Sequence, residues 1–442
     1  MKNSARMTAL YVLQAVRTAD AWADASLKAQ IEKNGLQGPD AALATRLVYG
    51  VLQNRMLLDH WIGAYCSQKP EHLQLPLLDI LRLGAYQIVF LDKIPDSAAV
   101  NEAVNMTREC GRGPAAGLVN AVLRKISKNR AALPEIPARD KISYLSVRYS
   151  HPKWLVKRMV SLLGEQEAEE LLKADNAVAP VTIQVNTMKT TAQELTEELA
   201  ANGIKVTPHA WVPDCLELSG TGNLAKLPAF QKGWFWVQDA AAKLVTAAAA
   251  PEAGIHVMDL CAAPGGKSFA AGIALQNHGS ILSCDLHENK LKRIREGAER
   301  LGLSCIQTAA ADGRCSRPEW VGSADLVLVD APCSGLGIIR KKPDIRYKKP
   351  DELFALPVIQ TAILDNAAAY VKLGGTLLYS TCTILPEENG QVVDAFLVEH
   401  PEFSRESFSL PDPVGIVEGE ITLFPQRNQT DGFYLCRLRK QA

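Results

Sequence analysis

Asp-Leu-Cys-Ala-Ala-Pro-Gly-Gly-Lys-Ser, residues 259–268, decides how this chain folds. It grows out of a short apolar run, IHVMDL (255–260), and leads into a helix-forming stretch. Strand, glycine turn and helix in that order open a βαβ unit. In an open α/β sheet, ligands bind beyond the C-terminal ends of the strands, where the strand order reverses. Gly265 and Gly266 let the backbone approach a ligand closely, and the helix start offers free N–H groups.

The pattern continues downstream. SILSCD (280–285) is followed by a helix at 288–301, then SCIQTAA (304–310) and ADLVLVD (324–330). A helix over 351–371 precedes GTLLYSTC (375–382), and another near 387–399 precedes ITLF (421–424) and GFYLCRL (432–438). Alternating strands and helices predict a parallel sheet with right-handed crossovers. The late close pair predicts an antiparallel hairpin at one edge. Residues 233–442 thus form an α/β domain.

Upstream the character changes twice. Residues 1–135 carry apolar side chains at helical spacing, such as Leu10, Leu13 and Val16, Leu77, Leu81 and Ile88, and Leu118, Val122 and Ile126. Gly and Pro fall mostly between these runs, so this is an all-α domain. The N-terminal stretch MKNSARMTALYVLQAVR reads as its first helix and not as a signal peptide, because Gln14 and Arg17 interrupt it and no small-residue cleavage site follows. A linker, ALPEIPARDK (132–141), leads to residues 140–232. There a helical stretch (154–172), the strand VTIQVNT (181–187), a helix (191–201) and short strands predict a small α+β module.

Composition bounds the rest. The chain has 442 residues, 47% hydrophobic and 22% charged, which is ordinary for several globular domains. No apolar stretch reaches the ~18 residues of a membrane span. Formal net charge is +0, so any basic face must be local. Ten cysteines without a C-x-x-C pair argue against a zinc ribbon and a disulfide scaffold, and fit a reduced, cytoplasmic setting.

Two ligand classes compete for the glycine turn. Gly266-Lys267-Ser268 resembles the end of a phosphate-binding loop, and LVLVD (326–330) resembles a Walker B strand. That loop needs a glycine five residues before Gly266, where Cys261 stands. A nucleoside cofactor fits better. Asp285 ends the second strand, 19 residues after Gly266, where an acid accepts both ribose hydroxyls. Asp312 follows the third strand, where an acid can meet an adenine amino group. Glycine turn and two acids on successive strand ends is the layout of an S-adenosylmethionine site. Asp285 could instead merely cap the helix that follows it.

Two cysteines share that crevice. Asp330-Ala-Pro-Cys333-Ser-Gly ends the fourth strand and Thr381-Cys382 ends the fifth. A lone cysteine is most often a small buried hydrophobe, the reading given to Cys66, Cys110, Cys215, Cys284, Cys305, Cys315 and Cys436. Two thiols beside a methyl-donor site point to pyrimidine C5 methylation. C5 becomes nucleophilic only when a thiolate adds to C6, and a base must then remove the C5 proton. Asp330 is placed to protonate or hydrogen-bond N3. Spacing alone does not say which cysteine attacks.

DLCAAPGGKS, DAPCSGLG (330–337) and STCTILPEEN (380–389) resemble the bacterial rRNA cytosine-C5 methyltransferases of the Sun/Fmu (RsmB) type, within the broader Nol1/Nop2/Sun family. SHPKWLV (150–156), QVNT (184–187), VQDAAA (237–242) and DGFYLCRL (431–438) extend the resemblance over roughly 140–442. LLDILRLGAYQIVFLDKIPDSAAVNEAV (77–104) and GLVNAVLRKI (117–126) resemble NusB, an RNA-binding antitermination factor. The resemblance implies three parts: a NusB-like helical RNA-binding domain (1–135), a small α+β RNA-binding module (140–232) and a Rossmann-like class I methyltransferase domain (233–442). Pro332-Cys333 resembles the nucleophile motif of DNA cytosine methyltransferases and Thr381-Cys382 that of the RNA enzymes; carrying both is the RNA-type pattern. It implies Cys382 as nucleophile and Cys333 as the residue for proton removal or release. It implies that Cys261, Ala262, Ala263, Pro264, Gly265, Gly266 and Lys267, with Asp285, Asp312 and Asp330, bind S-adenosylmethionine. One departure is visible: many relatives have two arginines before Pro-Asp, where this chain has Arg340-Lys341-Lys342-Pro343-Asp344. Lysine keeps the charge but not the bidentate fork.

The implied partner is 16S rRNA, unassembled or naked, because C6 must be open on one face and a stacked helix blocks it. RKKPDIRYKK (340–349), with six basic residues and one Asp, follows the PCSG loop and is the expected phosphate contact. Residues 1–140 carry 17 Lys and Arg against 13 Asp and Glu, with Arg6, Arg46, Arg55, Arg108, Arg112, Arg124 and Lys125 as candidate RNA contacts. Tyr347 is a candidate base-stacking residue; Trp154, Trp234 and Trp236 are more at home in cores. The chain is expected to act as a monomer, without metal or membrane. The alternatives are a sibling enzyme acting on tRNA or other rRNA, and a non-catalytic RNA-binding platform. A platform would be expected to have lost some of the site residues, and all are present.

Overall fold

The computed structural model describes residues 4–18 and 21–441. Residues 1–3 of the expected first helix lie outside the described residues. The chain divides into two compact units: residues 1–177 with 339–348, and residues 178–338 with 349–442.

The first unit is helical. Helices run over Ala5–Thr18, Ala23–Asn34, Gly38–Tyr65, Leu75–Phe90, Asp96–Glu109 and Ala116–Lys128. Leu10, Leu47, Leu58, Ile62, Ile80 and Leu81 are fully buried in one core. Helix 75–90 is hydrophobic almost all round, so it occupies the centre. Its one arginine, Arg82, is neutralised by Asp59 at 2.7 Å and Asp79 at 2.9 Å. Pro76 starts it, where the missing N–H costs nothing.

Three further helices, Lys141–Tyr149, Lys153–Leu163 and Glu165–Ala174, group with this unit and not with the strands that follow. Leu145, Val156 and Leu172 give them a core of their own. The expectation for 140–232 put this stretch with the α+β module; in the structure the apolar faces of these short helices pack on helices.

The second unit holds two sheets. β1 (Val181–Val185), β2 (Lys205–Pro208), β3 (Cys215–Ser219) and β4 (Phe235–Val237) form an antiparallel sheet in the order β2-β3-β1-β4. Helix Ala192–Ala201, opened by a Thr191/Glu194 capping box, packs on it through Leu195 and Leu199. Trp236 is buried and Trp234 packs partly buried, as the core reading expected.

The larger, mixed sheet is built from β5 (His256–Asp259), β6 (Ser280–Asp285), β7 (Ile306–Ala310), β8 (Ala324–Asp330), β9 (Val371–Thr381), β10 (Phe403–Arg405), β13 (Glu420–Leu423) and β14 (Phe433–Lys440). Between them β11 (Phe408–Leu410) and β12 (Gly415–Val417) form a separate pair. The order is β10-β14-β9-β8-β5-β6-β7, with β13 pairing β14. β5 to β9 are parallel; β13 and β14 are the expected antiparallel pair. Alternate residues of β8 face opposite layers. Val327 and Val329 meet helix Leu356–Tyr370 and helix Gly390–Glu399, while Leu326 and Leu328 meet helix Ala240–Ala249. Strand order reverses between β5 and β8, which fixes where the crevice opens.

Among the described residues no helix is long and apolar enough to cross a membrane.

Candidate active site

Register aligns the functional strand ends. Asp259 on β5 pairs across to Leu328 of β8 and Ser283 of β6, Asp285 of β6 to Ala310 of β7, and Asp330 of β8 to Ser380 of β9. The chain leaves each strand at the same edge, so the glycine turn, the three acids and both cysteines collect there.

The turn after β5 is built for tightness. Gly265 has φ +109°, and a Cβ there would stand 2.5 Å from the Phe269 ring. Any other residue would be both strained and in collision. Gly265 N donates to Ala262 O and Ala262 N to Cys284 O, which ties the turn to β6. Asp259 is fully buried; its Oδ2 accepts from Ser268 Oγ at 2.7 Å, and Ser283 Oγ donates to Ser268. Burial pushes its carboxyl up to about 6. Among the described residues its Oδ1 has no hydrogen-bond partner. The Cys261 thiol is pushed up by burial and by the carboxylates of Asp259, Asp330 and Asp285.

Asp285 accepts from His287 N at 3.0 Å and faces Lys290 at 3.3 Å. The N-cap of helix Glu288–Leu301 is His287, without a side-chain cap bond, so the capping role weighed for Asp285 is not made; its bond to His287 N lies before the helix and leaves acceptor capacity on the carboxylate. Asp312 is clasped by Arg314, Nη2 to Oδ2 at 2.6 Å, and this bond with the Arg314 backbone N–H draws its carboxyl down to about 2.

Lys267 stands elsewhere than the motif suggests. Although it belongs to the glycine turn, its Nζ donates to Asp330 Oδ2 at 2.6 Å and lies 5.2 Å from the centre of the Phe433 ring. Ser380 Oγ donates to Asp330 Oδ1 at 3.0 Å. The Asp330 carboxylate is thus held on both oxygens, one by a buried ammonium.

Cys333 and Cys382, 49 residues apart in sequence, bring their sulfurs to 3.2 Å. Gly337 N donates to Cys382 O, and Gly432 N donates to Gly337 O. A Cβ on Gly337 would stand 2.0 Å from Gly432 O, so the PCSG loop closes on the Cys382 turn only because both residues are glycine. The bond to Cys382, burial and the charges of Cys382, Glu388 and Asp330 hold the Cys333 proton well above the ordinary thiol range. Of the other cysteines, Cys215, Cys284, Cys305 and Cys436 are buried as expected, Cys66 and Cys110 are half-buried, and Cys315 is exposed, contrary to its expected place in a core. All ten are free thiols.

The basic run 340–349 is divided: Arg346 is buried, whereas the other basic residues of the run are partly or fully exposed. Residues 339–348 fold with the helical unit. Arg346 is fully buried there, its Nη1 donating to Asn176 Oδ1 at 2.7 Å and Tyr149 O at 3.1 Å. Tyr347 donates its hydroxyl to Leu52 O at 2.6 Å, and the Arg55 guanidinium lies 3.6 Å over its ring. This removes Arg346, Tyr347 and Arg55 from the candidate RNA contacts: their polar atoms and faces are spent on packing.

Sequence reasoning missed the Lys267–Asp330 pair, Ser380, Glu388 and Gln360. Glu388 carried a signal, as part of the PEEN run just past Cys382; Gln360, in the middle of a helix, carried none. Among the described residues no cluster of three or more His, Cys, Asp or Glu could hold a metal.

Comparison with known proteins agrees along the whole chain. Residues 246–439 match the model of the 16S rRNA methyltransferase RsmB/F family, residues 3–128 the NusB family, and residues 151–225 the ferredoxin-like domain of RsmF/B-like methyltransferases. A probable ribosomal RNA small subunit methyltransferase B of Bacillus subtilis is 39% identical over 100% of both chains. A ribosomal RNA small subunit methyltransferase B of Vibrio cholerae is 36% identical over 91% of this chain and 90% of its own. The crystal structure of PH0851 superimposes with a TM-score of 0.82, at 28% identity, over 99% of this chain and 98% of its own. The chain belongs to the ribosomal RNA small subunit methyltransferase B family.

Proposed function

We propose that the chain methylates C5 of a cytosine in 16S rRNA with S-adenosylmethionine as donor, acting in the cytoplasm on rRNA that ribosomal proteins have not yet covered. The observation that carries this reading is the pair of sulfurs 3.2 Å apart beside the Asp330–Lys267 pair. Small-subunit rRNA as substrate follows the names of the relatives.

The residues present fit the cofactor. Acids stand at the ends of the neighbouring strands β6 and β7, a glycine turn with positive φ opens the helix beside them, and Asp259 keeps an unpaired buried oxygen. Asp285 takes the ribose hydroxyls, Asp312 the adenine amino group, and the backbone of Cys261–Lys267 the remainder. When bound, the cofactor supplies a methyl group on a sulfonium, which a carbon nucleophile can take.

Cys382 adds its thiolate to C6 of a flipped cytosine, forming the S–C6 bond. Asp330 relays a proton from the Lys267 ammonium to N3, so the electron pair pushed into the ring is not left as bare charge. C5 is now enamine-like and takes the methyl group. Cys333, deprotonated by then, removes the C5 proton, the S–C6 bond breaks, its electrons return to Cys382, and N3 gives its proton back through Asp330 to Lys267. The two sulfurs divide the work through their shared proton. While Cys382 is free, its bond to Cys333 holds the proton on Cys333. Once Cys382 is bound to C6, that hold is gone; Cys333 then gives its own proton up to water and acts as base in the thiolate form.

The test is a methyl-transfer assay with labelled S-adenosylmethionine on naked 16S rRNA, assembled small subunits and tRNA. The expected product is 5-methylcytosine in naked 16S rRNA. Preferential labelling of assembled subunits refutes the naked substrate, and labelling of tRNA alone refutes the rRNA assignment.

A further inference from the structure

Glu388 takes no part in the chemistry above, yet it stands where the two sulfur-bearing turns meet. It ends the short 3-10 turn Pro386–Glu388 and is 1% exposed. Its Oε2 accepts from the backbone N–H of Ser334 at 2.8 Å and from Gln360 Nε2 at 3.0 Å. The same Gln360 Nε2 donates to Pro332 O at 3.0 Å. The residues before and after Cys333 are therefore both tied to one carboxylate.

The other turn is tied to the same place. Tyr379 donates its hydroxyl to Glu388 O at 2.7 Å. Asn389 donates Nδ2 to Thr383 O at 3.1 Å and shares a bond with Thr381 Oγ1 at 2.5 Å. Ser334 Oγ closes the ring on Thr383 Oγ1 at 2.8 Å. Gln360, Thr381, Thr383 and Asn389 are as buried as Glu388. Among the described residues Glu388 Oε1 and Gln360 Oε1 have no partner. Taking a carboxylate out of water with one oxygen unmatched lowers stability relative to an apolar filler. Stability alone does not account for it, whereas a carboxylate gives a rigid, two-donor anchor that no apolar side chain offers.

We propose that Glu388 is a positioning residue for the release step: it braces the 332–334 loop against the 381–383 turn, so that Cys333 reaches the C5 proton while Cys382 is attached to C6. This rests on the division of labour between the cysteines given above. Of the two cysteines, addition to C6 needs only Cys382, which lies on the turn carried by β9. Proton removal needs the second loop to stay in register with the first, and a displacement of about 1 Å can cost on the order of 100-fold in such a step.

The test is a single-turnover time course of the full-length protein with unmodified 16S rRNA and S-adenosylmethionine. Samples are quenched in detergent, and the covalent protein–RNA adduct and 5-methylcytosine are quantified. Glu388→Ala is expected to form adduct within about threefold of the parent rate and to resolve it about tenfold or more slowly. Glu388→Gln keeps an acceptor for Ser334 N and is expected to resolve it within about threefold of the parent. Glu388→Ala is expected to add nothing to the lifetime of the Cys333→Ala adduct. Gln360→Met, which cuts the tie to Pro332 O at similar volume, carries the same expectation if Glu388→Ala does not fold. Parent-like release from these variants while Cys333→Ala traps adduct overturns the brace alone. Equal slowing of formation and release overturns it in favour of general loosening. Absence of adduct with Cys333→Ala overturns the cysteine assignment, and the brace with it.

Discussion

Asp330 and Lys267 form the charged half of the site, and their geometry sets what each does. A 2.6 Å bond between an ammonium and a carboxylate, both largely shielded from water, is worth far more than the same pair at a surface. Its use is to give Asp330 a proton source and a charge partner as N3 changes state. Lys267→Met should therefore lower kcat by roughly 100-fold or more, with a smaller effect on cofactor affinity. Rapid-quench kinetics and a cofactor titration separate the two; a loss confined to cofactor affinity would return Lys267 to the glycine turn's binding role. This residue shows the limit of a motif. The spacing placed Lys267 in the turn, but the direction of a side chain depends on the neighbouring strand, and only the β5–β8 pairing brings Asp330 within its reach.

At the scale of elements, the parallel sheet was the most legible part. β5, β6, β8 and β9 are short apolar runs ending in Asp259, Asp285, Asp330 and Thr381, each followed by turn-forming residues, so both their existence and their working ends could be read. The cysteine pair was legible for the same reason, because two strand ends in one sheet face one crevice. Helices 141–174 were harder to place, since an amphipathic face announces that it is covered but not by what. The strand-end reading of Asp285 makes a specific prediction. Asp285→Asn keeps an acceptor for His287 N but loses the charge, and should weaken S-adenosylmethionine binding about 10- to 100-fold. Its thermal midpoint without cofactor should stay near the parent's. An equal fall in both would make Asp285 a support for the turn before the helix and nothing more.

At the scale of the whole molecule, ten residues that follow the PCSG loop belong to the helical unit. Charge density and a place just after the PCSG loop made 340–349 an expected RNA contact; burial makes Arg346 the anchor of the segment. A charge run says nothing about which side chains find acceptors, and here Tyr149 O and Asn176 Oδ1 outcompete water for the guanidinium. Arg346→Ala leaves those acceptors buried and unpaired, and should destabilise the helical unit by about 3 kcal/mol in urea unfolding. The salt dependence of RNA binding should not change; a shallower salt slope with unchanged stability would restore Arg346 as a phosphate contact. The central claim, that one thiol attacks and its neighbour releases, has its most direct test in the full chain on its RNA. Parent, Cys333→Ala and Cys382→Ala are each mixed with unmodified 16S rRNA and S-adenosylmethionine and run on a denaturing gel. The account predicts a stable covalent adduct with Cys333→Ala and none with Cys382→Ala. Adduct accumulating with Cys382→Ala and absent with Cys333→Ala would contradict it and exchange the two roles.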